Sequence, residues 1–256
     1  MDEFIKKVAS LRNRSTNKNI ITYTGFLTPA EQQIVKNNWH EAKFFGGNGG
    51  QERCRAFFLP SYIDEIDMTE YIKALRISFS FKTLSHRDFL GAILNLGIKR
   101  ECVGDIYVFE KEAYVFITPE LVDYIKINLT KVGSVGVVIE EVALKDVKLP
   151  ELSFEEIKFT VQSLRLDSIA SGIFRVSREK MSSIIKTGIV TLNYLVCDNV
   201  SKNIEINDII SIRGYGKAII SEIGGQSKSG KTFIIAKKYK IINNTKVFIF
   251  QESIMC

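Results

Sequence analysis

The stretch that decides the fold is Asp105-Ile106-Tyr107-Val108-Phe109-Glu110-Lys111-Glu112-Ala113-Tyr114-Val115-Phe116-Ile117. It contains two runs rich in β-branched and aromatic residues, separated by the charged pair Lys111-Glu112. Short apolar runs on either side of a polar pair are typical of two antiparallel strands joined by a tight turn. The sequence therefore predicts strands over 105–110 and 113–117.

The segments that flank this hairpin predict one helix and one strand on each side. Ser85-His86-Arg87-Asp88 is a capping box that opens a helix before the hairpin, and Thr118-Pro119-Glu120 opens another after it. Apolar residues in strand-like patterns predict outer strands over 74–81 and 135–142. The resulting order, β-α-β-β-α-β, is that of the ferredoxin-like plait, which RNA-recognition domains share. A topology of this kind does not name a function.

The rest of the chain supplies an N-terminal segment and a C-terminal module, so we predict an α+β protein. A capping box at Thr28-Pro29-Ala30-Glu31 and a later glycine-rich break indicate an N-terminal α/β subdomain. Helix patterns over 164–174 and 177–186, followed by short strands, indicate the C-terminal module. The predicted boundaries are 1–72 for the N-terminal subdomain, 73–148 for the plait, 149–162 for a charged linker, 163–240 for the C-terminal module and 241–256 for an apolar tail.

The composition is that of an ordinary folded protein. Of the 256 residues, 45% are apolar and 25% are charged, which excludes a disordered or collagen-like chain. The four cysteines lie far apart and form no C-x-x-C pair, so we expect neither a zinc ribbon nor a disulfide framework. No apolar run approaches the roughly 20 residues that span a bilayer. We expect a cytoplasmic monomer with no cofactor and no metal.

The positive charge is concentrated near the C-terminus. Residues 160–240 hold 13 basic and 6 acidic side chains, a net charge of +7, whereas residues 1–159 hold 21 basic and 22 acidic ones. A local basic excess is typical of a module that binds phosphate groups. A solvated charged face is the alternative interpretation.

Two motifs suggest catalysis, and both lack the expected context. Residues 225–232 match the P-loop pattern G-x-x-x-x-G-K-[ST], but a strand-like run follows where a P-loop needs a helix. We interpret this stretch as a turn between strands. Residues 165–172, R-L-D-S-I-A-S-G, are close to the R-L-D-x-x-T-S-G motif of pseudouridine synthases, with Ala170 in place of the threonine. An RNA-modifying enzyme that uses Asp167 stays open as an alternative, although no complete catalytic constellation is present.

Residues 163–216 resemble the S4 RNA-binding domain. The resemblance rests on Arg165-Leu166-Asp167 at the first helix, Ser177-Arg178 at the second, the helix end, glycine turn and strand of 185–193, and the closing stretch 208–214. Ser177 can cap a helix whose N-terminus, together with Arg178, can hold a phosphate. Tyr194 and Asn207 stand where such domains often have glycine. Tyr194 either covers the core of the module, which we favour, or offers a stacking surface to a base.

Over residues 20–240 the chain resembles the YlmH family of bacterial S4-domain proteins. The matching stretches are 24–31, 52–53, 84–91, 96–106 and 213–217. The resemblance implies a non-enzymatic RNA-binding protein that associates with the large ribosomal subunit. There it engages ribosomal RNA and a peptidyl-tRNA during rescue of stalled nascent chains. A link to cell division is a second implied role.

We predict that the RNA contacts lie on the basic face of the C-terminal module. Lysine and arginine without paired aromatic residues bind phosphates and helical shape more than base sequence. The candidate RNA-binding residues are Arg178, Arg165, Lys186, Arg213, Lys217, Lys180, Ser177 and Asn193. The candidates for a second basic surface are Arg53, Arg55, Arg87 and Arg100. An interaction scaffold for cell-division proteins, in which RNA contact is incidental, stays open as another alternative.

Overall fold

The computed structural model describes residues 2–80, 83–150, 153–226 and 230–240. The protein is mixed α/β and divides after Pro150 into two compact units. We refer to the described residues up to 150 as the N-terminal unit and to those from 153 as the C-terminal unit. The predicted tail, 241–256, lies outside the described residues.

The N-terminal unit begins with two helices and a three-stranded antiparallel sheet. The elements are α1 (Asp2–Lys18), β1 (Thr22–Tyr23), α2 (Pro29–Asn38), β2 (Lys43–Phe45) and β3 (Arg55–Phe58), with β3 in the centre of the sheet. The capping box predicted at Thr28 is confirmed. The Thr28 hydroxyl accepts a hydrogen bond from the Glu31 backbone N–H at 3.3 Å, and the Glu31 carboxylate accepts one from the Thr28 N–H at 2.7 Å.

A five-stranded antiparallel sheet with two helices completes the N-terminal unit. The elements are β4 (Lys73–Phe79), α3 (His86–Leu94), β5 (Val103–Val108), β6 (Glu112–Ile117), α4 (Val122–Asn128), β7 (Lys131–Val132) and β8 (Val135–Val142). The strand order across the sheet is β5-β6-β4-β8-β7. Single-turn 3-10 helices lie at Met68–Tyr71, Arg100–Cys102, Pro119–Leu121 and Leu144–Asp146. The two strands predicted around Lys111-Glu112 are β5 and β6.

This sheet is buried on both faces over β5 and β6, whereas Val138 on β8 is 72% exposed. One face forms a core with α3 and α4 through residues such as Leu75, Phe89 and Ile125. On the opposite face, Tyr114 and Phe116 belong to a second cluster. That cluster also contains Phe26, Ile72, Ala74, Tyr107 and Val147. The aromatic residues of β6 are therefore part of the interior of the unit.

The C-terminal unit is a six-stranded antiparallel sheet with two helices. The elements are β9 (Ser153–Val161), α5 (Leu166–Phe174), α6 (Arg178–Lys186), β10 (Val190–Leu192), β11 (Leu195–Val196), β12 (Ile209–Ile212), β13 (Gly216–Gln226) and β14 (Thr232–Lys240). The strand order is β11-β10-β12-β13-β14-β9. Apolar residues of α5 and α6, among them Ile169, Ile173 and Met181, form one core with the inward residues of the sheet.

The prediction of a linker over 149–162 is wrong for most of that segment. Residues 153–161 form β9, which pairs with β14 along its whole length, from Ser153 opposite Lys240 to Val161 opposite Thr232. Ile157 and Val161 are buried, whereas Glu156 and Lys158, on either side of Ile157, are exposed. The many charged residues of this segment indicated a linker, although buried and exposed positions alternate along it as in a strand. Thr232 begins the strand β14 and not a helix, which agrees with the interpretation that residues 225–232 are not a P-loop.

Gly172 lets α5 approach β9 closely. A methyl group at this position would lie 2.4 Å from two carbon atoms of the Phe159 ring. Such a distance is far below van der Waals contact, so the ring or the helix would have to move.

We expect Gly172→Ala to destabilise the C-terminal unit by about 1–3 kcal/mol, because overpacking forces side chains and backbone to shift. Amide hydrogen exchange of β9, read by mass spectrometry, should show lower protection. Gly91→Ala is the matched control, since a methyl group there meets no atom within 4 Å and alanine favours a helix. Unchanged protection of β9 in Gly172→Ala would contradict the packing described here.

Candidate nucleic-acid interface

A buried carboxylate joins two of the predicted RNA-binding arginines. Asp167, in the first turn of α5, has a side chain that is 4% exposed. Its oxygens accept hydrogen bonds from Arg165 Nε at 3.1 Å and from Arg178 Nε at 3.0 Å. The two arginine side chains are themselves 39% and 49% exposed. We call this group the Arg-Asp-Arg cluster.

The cluster holds Asp167 in its ionised form. Burial by itself raises the pKa of the Asp167 carboxyl, but the hydrogen bonds and charges of Arg165 and Arg178 outweigh that effect, so the pKa lies below its usual value. The hydrogen bond to Asp167 likewise raises the pKa of Arg165. With all three groups charged, the cluster has a net charge of +1 and presents two guanidinium groups at the surface. Such groups match the geometry of phosphate oxygens.

The start of α6 brings two further candidates next to this cluster. Ser177 is the N-cap of α6, and its hydroxyl accepts a hydrogen bond from the backbone N–H of Lys180 at 3.3 Å. Lys180 itself is exposed in the first turn. Ser177 therefore stabilises the start of α6. The first turn of that helix carries both Arg178 and Lys180, which are exposed.

Lys186 and Arg213 lie at the other end of α6. Lys186 is the last residue of the helix, eight residues after Arg178, which corresponds to about 12 Å along the helix axis. Arg213 follows β12, and its backbone N–H donates to the carbonyl of Ile189 at 3.3 Å. Both side chains are exposed. The structure thus places the exposed basic candidates in two groups, one at each end of α6.

Asn193 has a structural role in the hairpin of β10 and β11. Asn193 and Tyr194 form its two-residue turn with φ values of +49° and +71°, the backbone pattern that favours asparagine and glycine. The Asn193 side chain donates to Asp208 at 2.7 Å and accepts from the Ile209 N–H at 2.9 Å. Asn207, which also replaces a glycine, has a φ of +70°. The sequence predicts Asn193 at the end of a strand and as an RNA contact; the structure places it in the turn, and the RNA contact stays a prediction.

Lys217 is in the least exposed position of all the candidates. The residue is 6% exposed, and its ammonium lies 5.0 Å from the centre of the Tyr194 ring and 4.8 Å from that of Tyr239. These distances are typical of cation–π contacts. Tyr194 therefore contacts Lys217, whereas the sequence favoured a position over the core of the module. Sequence reasoning missed Tyr239 because its neighbour on the sheet lies 22 residues earlier in the chain.

Only one of the four residues of the predicted second basic surface is exposed. Arg55 is buried against the rings of Tyr23 and Phe26. Arg53 donates to the carbonyl of Phe26 at 2.7 Å, and Arg100 donates to carbonyls of β5. The fourth candidate, Arg87, is exposed in the first turn of α3. These four residues do not form one exposed basic face.

A cavity of about 350 Å³ lies within the N-terminal unit. Its charged lining is balanced, with four basic and four acidic residues in addition to His86. They are Lys7, Arg53, Arg87, Arg100, Glu31, Glu52, Glu101 and Asp105.

Two other kinds of site were sought in the described parts of the chain. No group of three or more His, Cys, Asp or Glu side chains there is arranged to hold a metal ion. No helix among those residues is long and apolar enough to cross a membrane.

The comparisons with known proteins define first a class and then a family. The family model described as "Putative RNA-binding domain in YlmH" matches residues 66–146, which include the five-stranded sheet. This chain is therefore of an RNA-binding class. A curated relative, the ribosome-associated protein quality control protein P2 of Bacillus subtilis (strain 168), is 31% identical over 223 residues, which are 85% of this chain and 87% of the relative. The chain belongs to the YlmH family.

The chain is also similar to a solved structure. It is the cell division protein YlmH from Streptococcus pneumoniae, which matches with a TM-score of 0.46 and 23% sequence identity. The match covers 57% of this chain and 92% of that one. The family match over 66–146 lies in the N-terminal unit, whereas our candidate residues lie in the C-terminal unit.

We expect Asp167→Asn to lower the stability of the C-terminal unit by about 1–3 kcal/mol at pH 7, because two charge-assisted hydrogen bonds are weakened. A carboxyl whose pKa is lowered in the folded state stabilises it above the unfolded pKa, near 4. That contribution is lost as the pH falls through the folded pKa. The difference between wild type and variant should therefore shrink below about pH 4.

Urea unfolding at a series of pH values, followed by circular dichroism, measures this difference. Asp198→Asn is the control, since Asp198 is an exposed carboxylate of the same unit and should have little effect. A difference between wild type and Asp167→Asn that stays constant down to pH 2 would contradict the assignment.

Proposed function

We propose that this chain is a non-enzymatic, cytoplasmic RNA-binding factor that acts on the large ribosomal subunit. The observation that carries the proposal is the Arg-Asp-Arg cluster at the start of α5 and α6. It holds two half-exposed guanidinium groups in fixed positions, in a unit whose sequence has a net charge of +7 over 160–240. Arginine held in this way binds phosphates with little cost in side-chain entropy.

We assign the C-terminal unit to the S4 domain and the β4–β8 region to an RNA-recognition-like plait. The S4 assignment is supported by the two short helices that begin at Leu166 and Arg178 and by the hairpin turn at Asn193. The plait assignment is supported by the β-α-β-β-α-β order and the strand order β5-β6-β4-β8. The aromatic side chains of β6 are buried, so they do not stack on bases as they do in sequence-reading plaits.

The ribosomal role rests on the relatives. The Bacillus subtilis protein carries ribosome association and quality control in its name. We infer that the present chain engages ribosomal RNA and a peptidyl-tRNA when a nascent chain has stalled. Structured RNA of this kind suits a surface that recognises phosphates and helical shape.

The geometry disfavours the alternative in which Asp167 is a catalytic nucleophile. Both oxygens of Asp167 are hydrogen-bonded to guanidinium groups, and its side chain is buried. To attack a ribose or base carbon, the carboxylate would have to leave both arginines. A search for isomerised uridines in RNA incubated with the protein tests this alternative, and the proposal expects none.

We expect Arg178→Ala to weaken binding to an RNA hairpin about tenfold, because a charge-assisted contact to a phosphate is lost. The slope of log affinity against log salt should fall by about one. Fluorescence anisotropy between 50 and 300 mM salt measures both quantities. Arg175→Ala is the matched control, since it removes the same charge three residues away but from a side chain that is 78% exposed and remote from Asp167. An equal effect of the two substitutions would contradict the cluster's role.

In cell lysate we expect the wild-type chain to sediment with the large ribosomal subunit. The double variant Arg178→Ala/Arg213→Ala removes one exposed arginine at each end of α6 and should leave that fraction at lower salt. Lys126→Ala/Lys131→Ala is the control for lost charge, because both lysines are exposed in the N-terminal unit. Wild-type protein that remains at the top of the gradient, without crosslinked RNA, would instead favour the cell-division scaffold.

A further inference from the structure

The six-stranded sheet of the C-terminal unit has two different faces. Ala218, Ile220 and Ala236 point toward α5 and α6 and belong to the core of the unit. Because side chains alternate along a strand, Ile219 and Lys237, which are opposite each other, point away from the helices. We call the face that points away from α5 and α6 the outer face.

A row of side chains crosses the outer face over five strands. Thr191 of β10 is opposite Ser211 of β12, and Ser211 is opposite Lys217 of β13. The ammonium of Lys217 reaches the Tyr239 ring of β14 at 4.8 Å. Tyr239 is in turn opposite Phe154 of β9. The row thus passes from hydroxyl groups through a lysine to two aromatic rings.

Two aromatic residues of the outer face are largely accessible. Phe154 is 40% exposed and packs edge-on against Tyr239, with ring centres 4.8 Å apart. Phe233, further along β14, is 51% exposed. Aromatic rings spaced along one sheet face, with lysines between them, are the arrangement on which bases stack in proteins that bind single strands. In the N-terminal unit the corresponding aromatic residues of β6 are buried.

Lysines lie among these rings. Lys237 is exposed on β14 between Phe233 and Tyr239, and Lys158 is exposed on the neighbouring strand β9. Glu156 pairs with Lys158 at 2.9 Å, so it offsets part of this charge. Phe233 and Tyr239 are six residues apart, about 20 Å along a strand. That distance accommodates several nucleotides at the rise of about 3.4 Å per stacked base.

We propose that the outer face binds unpaired RNA by base stacking. Its contact residues are Phe154, Phe233 and Tyr239 for the bases and Lys158 and Lys237 for the phosphates. Aromatic rings on a sheet, bordered by lysines, accept bases of any sequence because every base has a π-face. The inference rests on the proposed RNA-binding function and adds a substrate class to it. The Arg-Asp-Arg cluster binds phosphates of structured RNA, and the outer face binds single-stranded RNA.

The test compares two labelled RNAs on the full-length protein by fluorescence anisotropy. One is a single-stranded 10-nucleotide uridine or adenosine RNA, and the other is a hairpin without an unpaired tail. Phe154→Leu/Phe233→Leu keeps apolar side chains but removes the stacking rings, and it should weaken single-strand binding at least tenfold. Phe154→Trp/Phe233→Trp should restore it to within about twofold. Tyr62→Leu is the control, because Tyr62 is an exposed aromatic residue of the N-terminal unit.

The outcomes separate this inference from the proposed function. Hairpin binding should depend on Arg178 and should not change in the leucine variant. Single-strand binding that is the same in wild type and leucine variant overturns the inference, even if Arg178→Ala still weakens hairpin binding. A leucine variant that binds RNA normally but changes its sedimentation coefficient would identify the outer face as an interface between copies, which also overturns it. Absence of binding to either RNA by the wild-type protein would remove both proposals.

Discussion

The surface formed by α5 and α6 depends on one buried carboxylate. Asp167 cannot be buried as an ion without partners, because the loss of hydration would cost several kcal/mol. Arg165 and Arg178 provide those partners, and each of them is thereby fixed in one orientation. The same contacts connect the starts of two helices that are separated by a turn. Asp167 thus orients the two guanidinium groups, and its negative charge also lowers the net charge of the cluster from +2 to +1. The arginines are held in place, but the cluster attracts phosphates less strongly than two unpaired arginines would.

Much of the local structure could be predicted because it depends on neighbours in the sequence. The cap at Thr28, the N-cap at Ser177 and the hairpin around Lys111-Glu112 are all decided within a few residues. The surroundings of Lys217 and Asp167 could not be predicted from neighbours in the sequence. The surroundings of Lys217 come from Tyr194, in the turn between β10 and β11, and from Tyr239 on β14. For Asp167, the motif was visible in the sequence but its partner on the next helix was not.

The two large sheets of the protein treat their aromatic residues in opposite ways. In the N-terminal unit, β6 is covered on both faces, and Tyr114 and Phe116 belong to one buried cluster with Phe26 and Val147. In the C-terminal unit, only the face toward α5 and α6 carries the main core.

In the C-terminal unit the first strand, β9, pairs with the last strand, β14. During synthesis β9 therefore has no partner strand until β14 has been made. Ser153 is opposite Lys240, so 87 positions of chain must be synthesised before the sheet can close. Contacts between such distant residues slow folding and leave a strand edge open in the meantime. The charged residues that concealed β9, Glu155, Glu156 and Lys158, are of the kind that discourages an open edge from pairing with other chains. What looks like a linker in the sequence is thus a strand protected against aggregation while the protein is being made.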